Sequence, residues 1–505
     1  MMKAKPMQKV KTFLEKTPNA LLCVLGAVVF LAGFYFLTSR TPLNKIWLPT
    51  TMNNDEVLYN RQVVSVITHG GPQGYFGYQE GTADIGRYGT WGPLLIWAYA
   101  LPGFLFGSSV NVVLWCNLLF ITLGIAAFAR SAKLNWWQCI VLCAGLFAIA
   151  MPIRSCISGA SEAMHYMLAF LIVGSTAALH RTDKIGWLAV CAAACAVETI
   201  FRPYALLFWV FPLTAVWQNK RRRSACFVTA AAGFGVSLFA MAKLAAPYFS
   251  DGGMDFDGVQ LLLQGHPIAA IRYEWIRATA LLGNAWLYDI WPTIKGGKTY
   301  IGGGCVTSLV VVLAAVGCLL WDKRKGRPVL LKACALFCSA AIALVLLTMY
   351  NIDPRHMMLL AILLLGAIVV EDAAPAVVWL PILVVLLLPM NFERGSQPEM
   401  NEVMAAQMTV VEDALAADVQ AADADPWDNT LAYTYDDGVF HGYLYAVPDG
   451  MGIEFDKNSY LWDAENPIYS RYVMCGHGTR VEERLLAENW QELVSTEDLV
   501  VYKRS

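Results

Sequence analysis

Charge is what this chain has least of. Only 15% of its 505 residues are Asp, Glu, Lys or Arg, while 57% are hydrophobic. Soluble domains carry roughly 25% charged residues, so a water-soluble enzyme of this size is excluded and a membrane protein is expected. Histidine is scarce at seven residues, and no two stand four apart. There is no HExxH and no CxxC, which argues against the commoner zinc sites. The lack of GxxxxGK[ST] and GxGxxG argues against nucleotide-driven transport and dinucleotide redox chemistry. No basic patch interleaved with aromatics lies outside the short loops between apolar runs, so no nucleic-acid partner is expected. Of 13 cysteines only Cys475 falls in the tail, which therefore has no disulfide framework. The others sit mostly inside apolar runs, as small packing residues between helices.

The net charge of −2 hides an asymmetry. Residues 395–505 carry −15, and residues 1–394 carry +13. The expectation is a basic membrane module over 1–394 followed by a small acidic α/β domain over 395–505. In the tail, 402–424 reads as an amphipathic helix and 480–490 as another. Residues 430–435, 443–447, 472–474 and 499–502 read as short strands.

Eleven apolar runs approach the roughly 20 residues that cross a bilayer: 20–38, 109–129, 136–152, 162–179, 185–201, 203–217, 225–247, 303–321, 329–350, 356–371 and 375–392. A twelfth, 93–107, is shorter and contains Pro102. Positive charge decides whether it crosses. If it lies at the interface, 17 bases fall on one side: Lys3 to Lys16, Arg130/Lys133, Arg181/Lys184, Lys220 to Arg223 and Lys323 to Arg327. That arrangement makes the N-terminus cytoplasmic, with the first run an uncleaved anchor of a multi-pass plasma-membrane protein. Three segments then lie outside: loops 39–93 and 248–302 and the tail.

Ionisable groups at the bilayer are costly and point to function. Asp55-Glu56 follows the first span, where adjacent carboxylates suit a general base; a solvated helix N-terminus is the equal alternative. Arg154 and Glu162 flank the turn between the third and fourth spans. Glu198 and Arg202 precede Pro203 at i,i+4, as a site or as a local ion pair. Arg355 and His356 open the tenth span. Three arginines approaching the outer face run against the positive-inside bias, and a phosphate headgroup would explain them. Asp251, Asp255 and Asp257 depart from the EF-hand spacing. Trp275, Trp286, Tyr288 and Trp291 read as an interfacial belt or a sugar or lipid site.

This arrangement resembles the GT-C membrane glycosyltransferases, which include aminoarabinose transferases and protein O-mannosyltransferases. The likeness spans residues 1–394: one span, a large outer loop opening with Asp55-Glu56, then Arg87-Tyr88-Gly89-Thr90-Trp91-Gly92-Pro93, short helix hairpins and Arg202-Pro203-Tyr204. Trp91 stands where relatives commonly carry His. The resemblance implies transfer of a sugar from a polyprenyl-phosphate donor to a surface glycan, glycolipid or protein. Asp55 would be the base and Glu56 its partner. Arg202, Arg355, Arg154 and Arg87 would bind the donor phosphate, and Glu162, Tyr88, Trp91 and His356 the acceptor or sugar. No resident cofactor or metal is implied where arginines neutralise the phosphate, although relatives with lipid-pyrophosphate donors use a divalent metal. Two rival readings stand beside it: a transporter or lipid-linked-sugar flippase, and a non-catalytic envelope assembly subunit. The tail would cap the outer face and help recognise the acceptor, or serve folding alone.

Overall fold

A computed structural model describes residues 17–50, 54–71, 76–78, 80, 92–147, 149–218, 223–244, 255–295, 304–350, 354–371, 399–420, 429–434, 439–456 and 459–504. The chain forms two compact units. One comprises 1–43, 117–157 and 161–395; the other comprises 44–116, 158–160 and 396–505. The second unit therefore gathers the acidic tail together with most of the first large loop.

The first unit is helical throughout its described residues. Ten of the eleven apolar runs coincide with helices; the eleventh, 375–392, lies outside the described residues. Among the described residues, five helices are each long and apolar enough to cross a membrane: Asn19–Leu37, Val112–Ala132, Glu162–Thr182, Gly304–Arg324 and Leu330–Met349. Two runs are broken for local reasons. The run 203–217 begins as a 3-10 segment, Pro203–Trp209, before the helix Val210–Gln218, because Pro203 supplies no N–H to an α-turn. The run 136–152 divides into Trp136–Phe147 and Ala150–Cys156, with Ile149 extended between them.

Helices Glu162–Thr182 and Pro354–Glu371 are the most buried of these elements and pack together at the core. Small residues permit close approach: a Cβ on Gly124 would lie 2.7 Å from the backbone of Met167, and one on Gly174 would lie 2.2 Å from Ser131 Oγ. That is how membrane helices pack when burial alone supplies little drive. The outer faces carry exposed Leu21, Val29, Leu123, Phe239, Leu313 and Leu344, an apolar surface that a bilayer accommodates and water does not.

One end of this unit holds a buried charge cluster that sequence reading passed over. Lys332 Nζ, fully buried, lies 2.8 Å from Asp322 and 3.4 Å from Glu371. The Glu371 carboxylate also accepts the N–H groups of Leu331 and Lys332 at 2.7 and 3.1 Å, capping helix Leu330–Met349. Three helices are thereby joined at the end that bears Lys323, Arg324 and Arg327.

The helix over the twelfth run, Gly92–Gly103, belongs to the second unit and packs on helix Asn54–His69. Twelve residues reach about 18 Å, too short for a hydrocarbon core of about 30 Å. Among its described residues the second unit holds a six-stranded sheet of β1 (Phe76–Tyr78), β2 (Thr430–Thr434), β3 (Gly452–Asp456), β4 (Tyr472–Cys475), β5 (Gln491–Ser495) and β6 (Val500–Lys503), in the order β1-β3-β2-β4-β6-β5. The first four strands of that order run parallel, and β6 and β5 close the sheet as antiparallel strands. β1 comes from the first large loop and pairs Phe76–Tyr78 with Ile453–Phe455. Helices Glu402–Val419 and Arg480–Ala487 are capped by Asn401 and Thr479 side chains.

Residues 443–447, expected as a strand, lie instead in the 3-10 segment His441–Ala446 and its C-cap Val447. Carbonyls that a strand would give to a ladder go elsewhere, as described below.

Lys503, Tyr472 and Arg471 converge on Asp418 at 2.7, 2.8 and 3.1 Å, tying the end of helix Glu402–Val419 to the sheet. Burial alone would raise the Asp418 carboxyl; these hydrogen bonds outweigh it and hold the group below its ordinary 3.8. The stabilisation is complete above that unfolded value and is lost as pH falls through the lower folded one. Asp418→Asn should therefore lower stability by about 1–2 kcal/mol at neutral pH. It should also flatten the dependence of melting temperature on pH below 4, which melts between pH 2 and 7 would show.

Candidate functional site

The chain's Arg-Pro-Tyr dictates local geometry before it dictates chemistry. A residue preceding proline is driven out of the α region, and Arg202 is accordingly extended at φ −136°, ψ 103°. Its N–H still closes the helix Ile185–Phe201 on the Glu198 carbonyl at 2.8 Å. The 3-10 turn that follows brings Tyr204 back beside Arg202. The guanidinium donates to Tyr204 Oη at 2.9 Å, to His356 Nδ1 at 3.0 Å and to Glu162 Oε1 at 3.2 Å. Tyr204 Oη lies within hydrogen-bond distance of the same His356 nitrogen, at 2.7 Å.

A guanidinium has five N–H donors and no acceptor. In its contact with Arg202, His356 Nδ1 must therefore be the acceptor. Both terminal nitrogens of Arg202 are thus engaged, Nη1 with Tyr204 and His356 and Nη2 with Glu162. Glu162 Oε2 is buried without a hydrogen-bond partner among the described residues. Arg202, Glu162 and His356 are only 5%, 3% and 7% exposed. A buried cation beside a carboxylate with an oxygen unpartnered among the described residues is a costly arrangement for structure alone. It can bind an anionic group and a hydroxyl together.

Glu198 does not pair with Arg202 as the local ion-pair reading proposed. Its two oxygens, fully buried, accept from His165 Nδ1, each at 2.9 Å, and His165 Nε2 lies 3.5 Å from Ser161 Oγ. Sequence reading missed His165. The available signal was its position three residues after Glu162, which puts both side chains on one helix face. Arg355 precedes His356 at the start of its helix, and Arg154 lies in helix Ala150–Cys156; both are half-buried.

Asp55 and Glu56 lie in the second unit, in the first turn of helix Asn54–His69. They are adjacent but differently placed. Glu56 is buried at 2%, and its Oε2 accepts the Gly159 N–H at 3.2 Å; Asp55 is half-buried. Arg87, Tyr88 and Trp91 lie outside the described residues.

In the loop 248–302, Asp255 takes Tyr273 Oη at 2.6 Å and an ion pair with Arg277, while Asp257 opens a short helix. Asp251 lies outside the described residues. Trp275 and Tyr288 are 70% and 73% exposed, and Trp286 stacks on Trp291 at 5.9 Å.

No protein-family model matches the chain, and no curated protein matches it. Among solved structures it is similar to the crystal structure of ArnT from Cupriavidus metallidurans bound to undecaprenyl phosphate. The TM-score is 0.51 at 13% identity, over 95% of this chain and 97% of that one. The chain thus shares the fold of that structure, a polytopic helical membrane protein with a small C-terminal sheet domain.

Proposed function

We propose that the protein is an integral-membrane glycosyltransferase that moves a sugar from a polyprenyl-phosphate donor to a cell-surface glycan, glycolipid or protein. The reaction takes place at the external face of the plasma membrane, with the N-terminus cytoplasmic and the C-terminal domain outside. The observation that carries this reading is Arg202: a buried guanidinium held by Tyr204, His356 and Glu162, beside a Glu162 oxygen that has no hydrogen-bond partner among the described residues. A fold can host unrelated functions, so the likeness to a structure holding undecaprenyl phosphate supports the class of donor and no more.

In this scheme Asp55 takes the proton of the acceptor hydroxyl as its oxygen attacks the anomeric carbon. The bond from that carbon to the phosphate oxygen breaks, the configuration inverts, and polyprenyl phosphate leaves with the electron pair. Arg202, with Arg355, Arg154 and Arg87, offsets the charge on that leaving group. Glu56 orients the acceptor or Asp55. Glu162 and His356, with Tyr88 and Trp91, contact sugar or acceptor hydroxyls. No step calls for a resident cofactor.

The test is transfer from a panel of labelled polyprenyl-phosphate sugars in membranes carrying the protein. Label should move to an acceptor, or be released as free sugar, from at least one donor. No turnover of any donor by folded protein would end this reading in favour of a transporter or an assembly subunit.

A further inference from the structure

Arg61 follows Asp55 by six residues on helix Asn54–His69 and is buried at 7% exposure. Its guanidinium has no carboxylate within ion-pairing distance among the described residues. Its two terminal nitrogens bond instead to backbone carbonyls of the C-terminal domain, Leu444 at 3.2 Å, Pro448 at 2.8 Å, and Val447, while Nε has no partner among the described residues. These carbonyls close the 3-10 segment His441–Ala446, whose C-terminal end carries partial negative charge. The helix packs directly on that segment.

Two further observations show how tightly the segment is set. A Cβ on Gly442 would lie 2.0 Å from the Pro49 carbonyl oxygen, so only glycine permits the approach. Tyr445, from the same segment, has its hydroxyl pushed well up by burial, and the Glu56 carboxylate adds to the shift. Elsewhere in this unit Glu80 accepts from Tyr469 N–H, Ser470 N–H and Ser470 Oγ at 3.0, 2.9 and 3.0 Å, and β1 joins the sheet. The first loop is thus built into the domain at several points; on the acidic helix Arg61 is the buried one, while Thr68 and His69 meet Asp449 at 3.5 and 3.9 Å near the helix end.

We propose that Arg61 is a positioning residue: by fastening helix Asn54–His69 to residues 444–448, it makes the C-terminal domain a working part of the acceptor-activating site. This rests on the reading of Asp55 as base. Arg61 touches neither substrate nor reacting atoms; it sets the angle and depth at which Asp55 is presented. A displacement of about 1 Å in such a group costs roughly 100-fold in rate.

The experiment pairs kinetics with amide hydrogen exchange on the full-length protein in membranes, using Arg61→Met, Arg61→Lys and Gly442→Ala. Arg61→Met should lower kcat about 100-fold with donor KM within about twofold. Amides of residues 54–69 should exchange at least tenfold faster, by local opening. Arg61→Lys keeps the charge and part of the carbonyl set, and should recover a substantial part of both. Gly442→Ala, which displaces the segment with Arg61 intact, should reproduce the Arg61→Met pattern, and it carries the test where Arg61→Met does not fold.

Unchanged exchange across 54–69 in Arg61→Met and Gly442→Ala overturns the fastening. Faster exchange with wild-type kcat per folded molecule reduces Arg61 to a stabilising residue and overturns the positioning role. Turnover retained in Asp55→Asn would instead remove the base assignment, and with it the role at the acceptor site. The exchange result still decides whether Arg61 fastens the helix.

Discussion

Asp55→Asn should reduce transfer by 10²- to 10⁴-fold, the contribution of a positioned general base, with folding and donor binding unchanged. The substitution is nearly isosteric and keeps an oxygen acceptor in the helix first turn, so the loss isolates proton removal. Glu56→Gln provides the contrast. Glu56 is buried, and its oxygen accepts the Gly159 N–H at 3.2 Å; a glutamine oxygen can keep that bond. Its loss should be about tenfold, and it should appear in acceptor KM as much as in kcat. The check is release and transfer of label from a polyprenyl-phosphate sugar, with donor affinity measured separately on the same membranes. Wild-type turnover in Asp55→Asn would end the assignment. Equal losses in both variants would mean that the pair acts as a unit and that Asp55 is not distinct from Glu56.

Sequence carried the membrane architecture because spans are written in long apolar runs and each backbone polar group must be satisfied within its own helix. The helices Asn19–Ser39, Glu162–Thr182 and Leu330–Met349 fall within a few residues of their runs for that reason. The tail was legible only in part. A short alternation such as Tyr443 to Val447 reads as a strand when considered alone; it is a 3-10 turn and its cap because Arg61, nearly 400 residues away, takes its carbonyls. β1 escaped notice for the same reason: three residues become a strand only when β3 is present to pair with them.

The arginine site was half legible. A charge in an apolar setting drew attention to Arg202, Glu162 and His356 without a partner for any of them. The Glu198/Arg202 spacing even suggested a pairing that the fold replaces with Glu198–His165. Lys332, Asp322 and Glu371 were invisible because each stands at the edge of a run, where a solvated charge is the ordinary outcome.

Arg202 should show the second large effect, on two quantities that can be separated. Its guanidinium is the ion-pair partner of the Glu162 carboxylate, at 3.2 Å, and a donor to Tyr204 and His356. Arg202→Met leaves a carboxylate buried without its counter-charge, a loss of about 3–5 kcal/mol. It also removes the charge assigned to the leaving phosphate. Arg202→Lys keeps the charge but not the planar fork; it should fold better than Met yet bind donor weakly. Replacing both partners, Arg202→Met with Glu162→Gln, removes the uncompensated charge, and most of the stability should return. Transfer should not return, because the principal guanidinium assigned to the phosphate would still be missing. Thermal melts and donor titrations on the four proteins decide the matter. If the double variant regains both stability and turnover, Arg202 is structural and the phosphate is held elsewhere. If it regains stability alone, with donor affinity still reduced by about 10²-fold or more, the buried pair is a substrate site that the ligand-free protein keeps neutral with its own carboxylate.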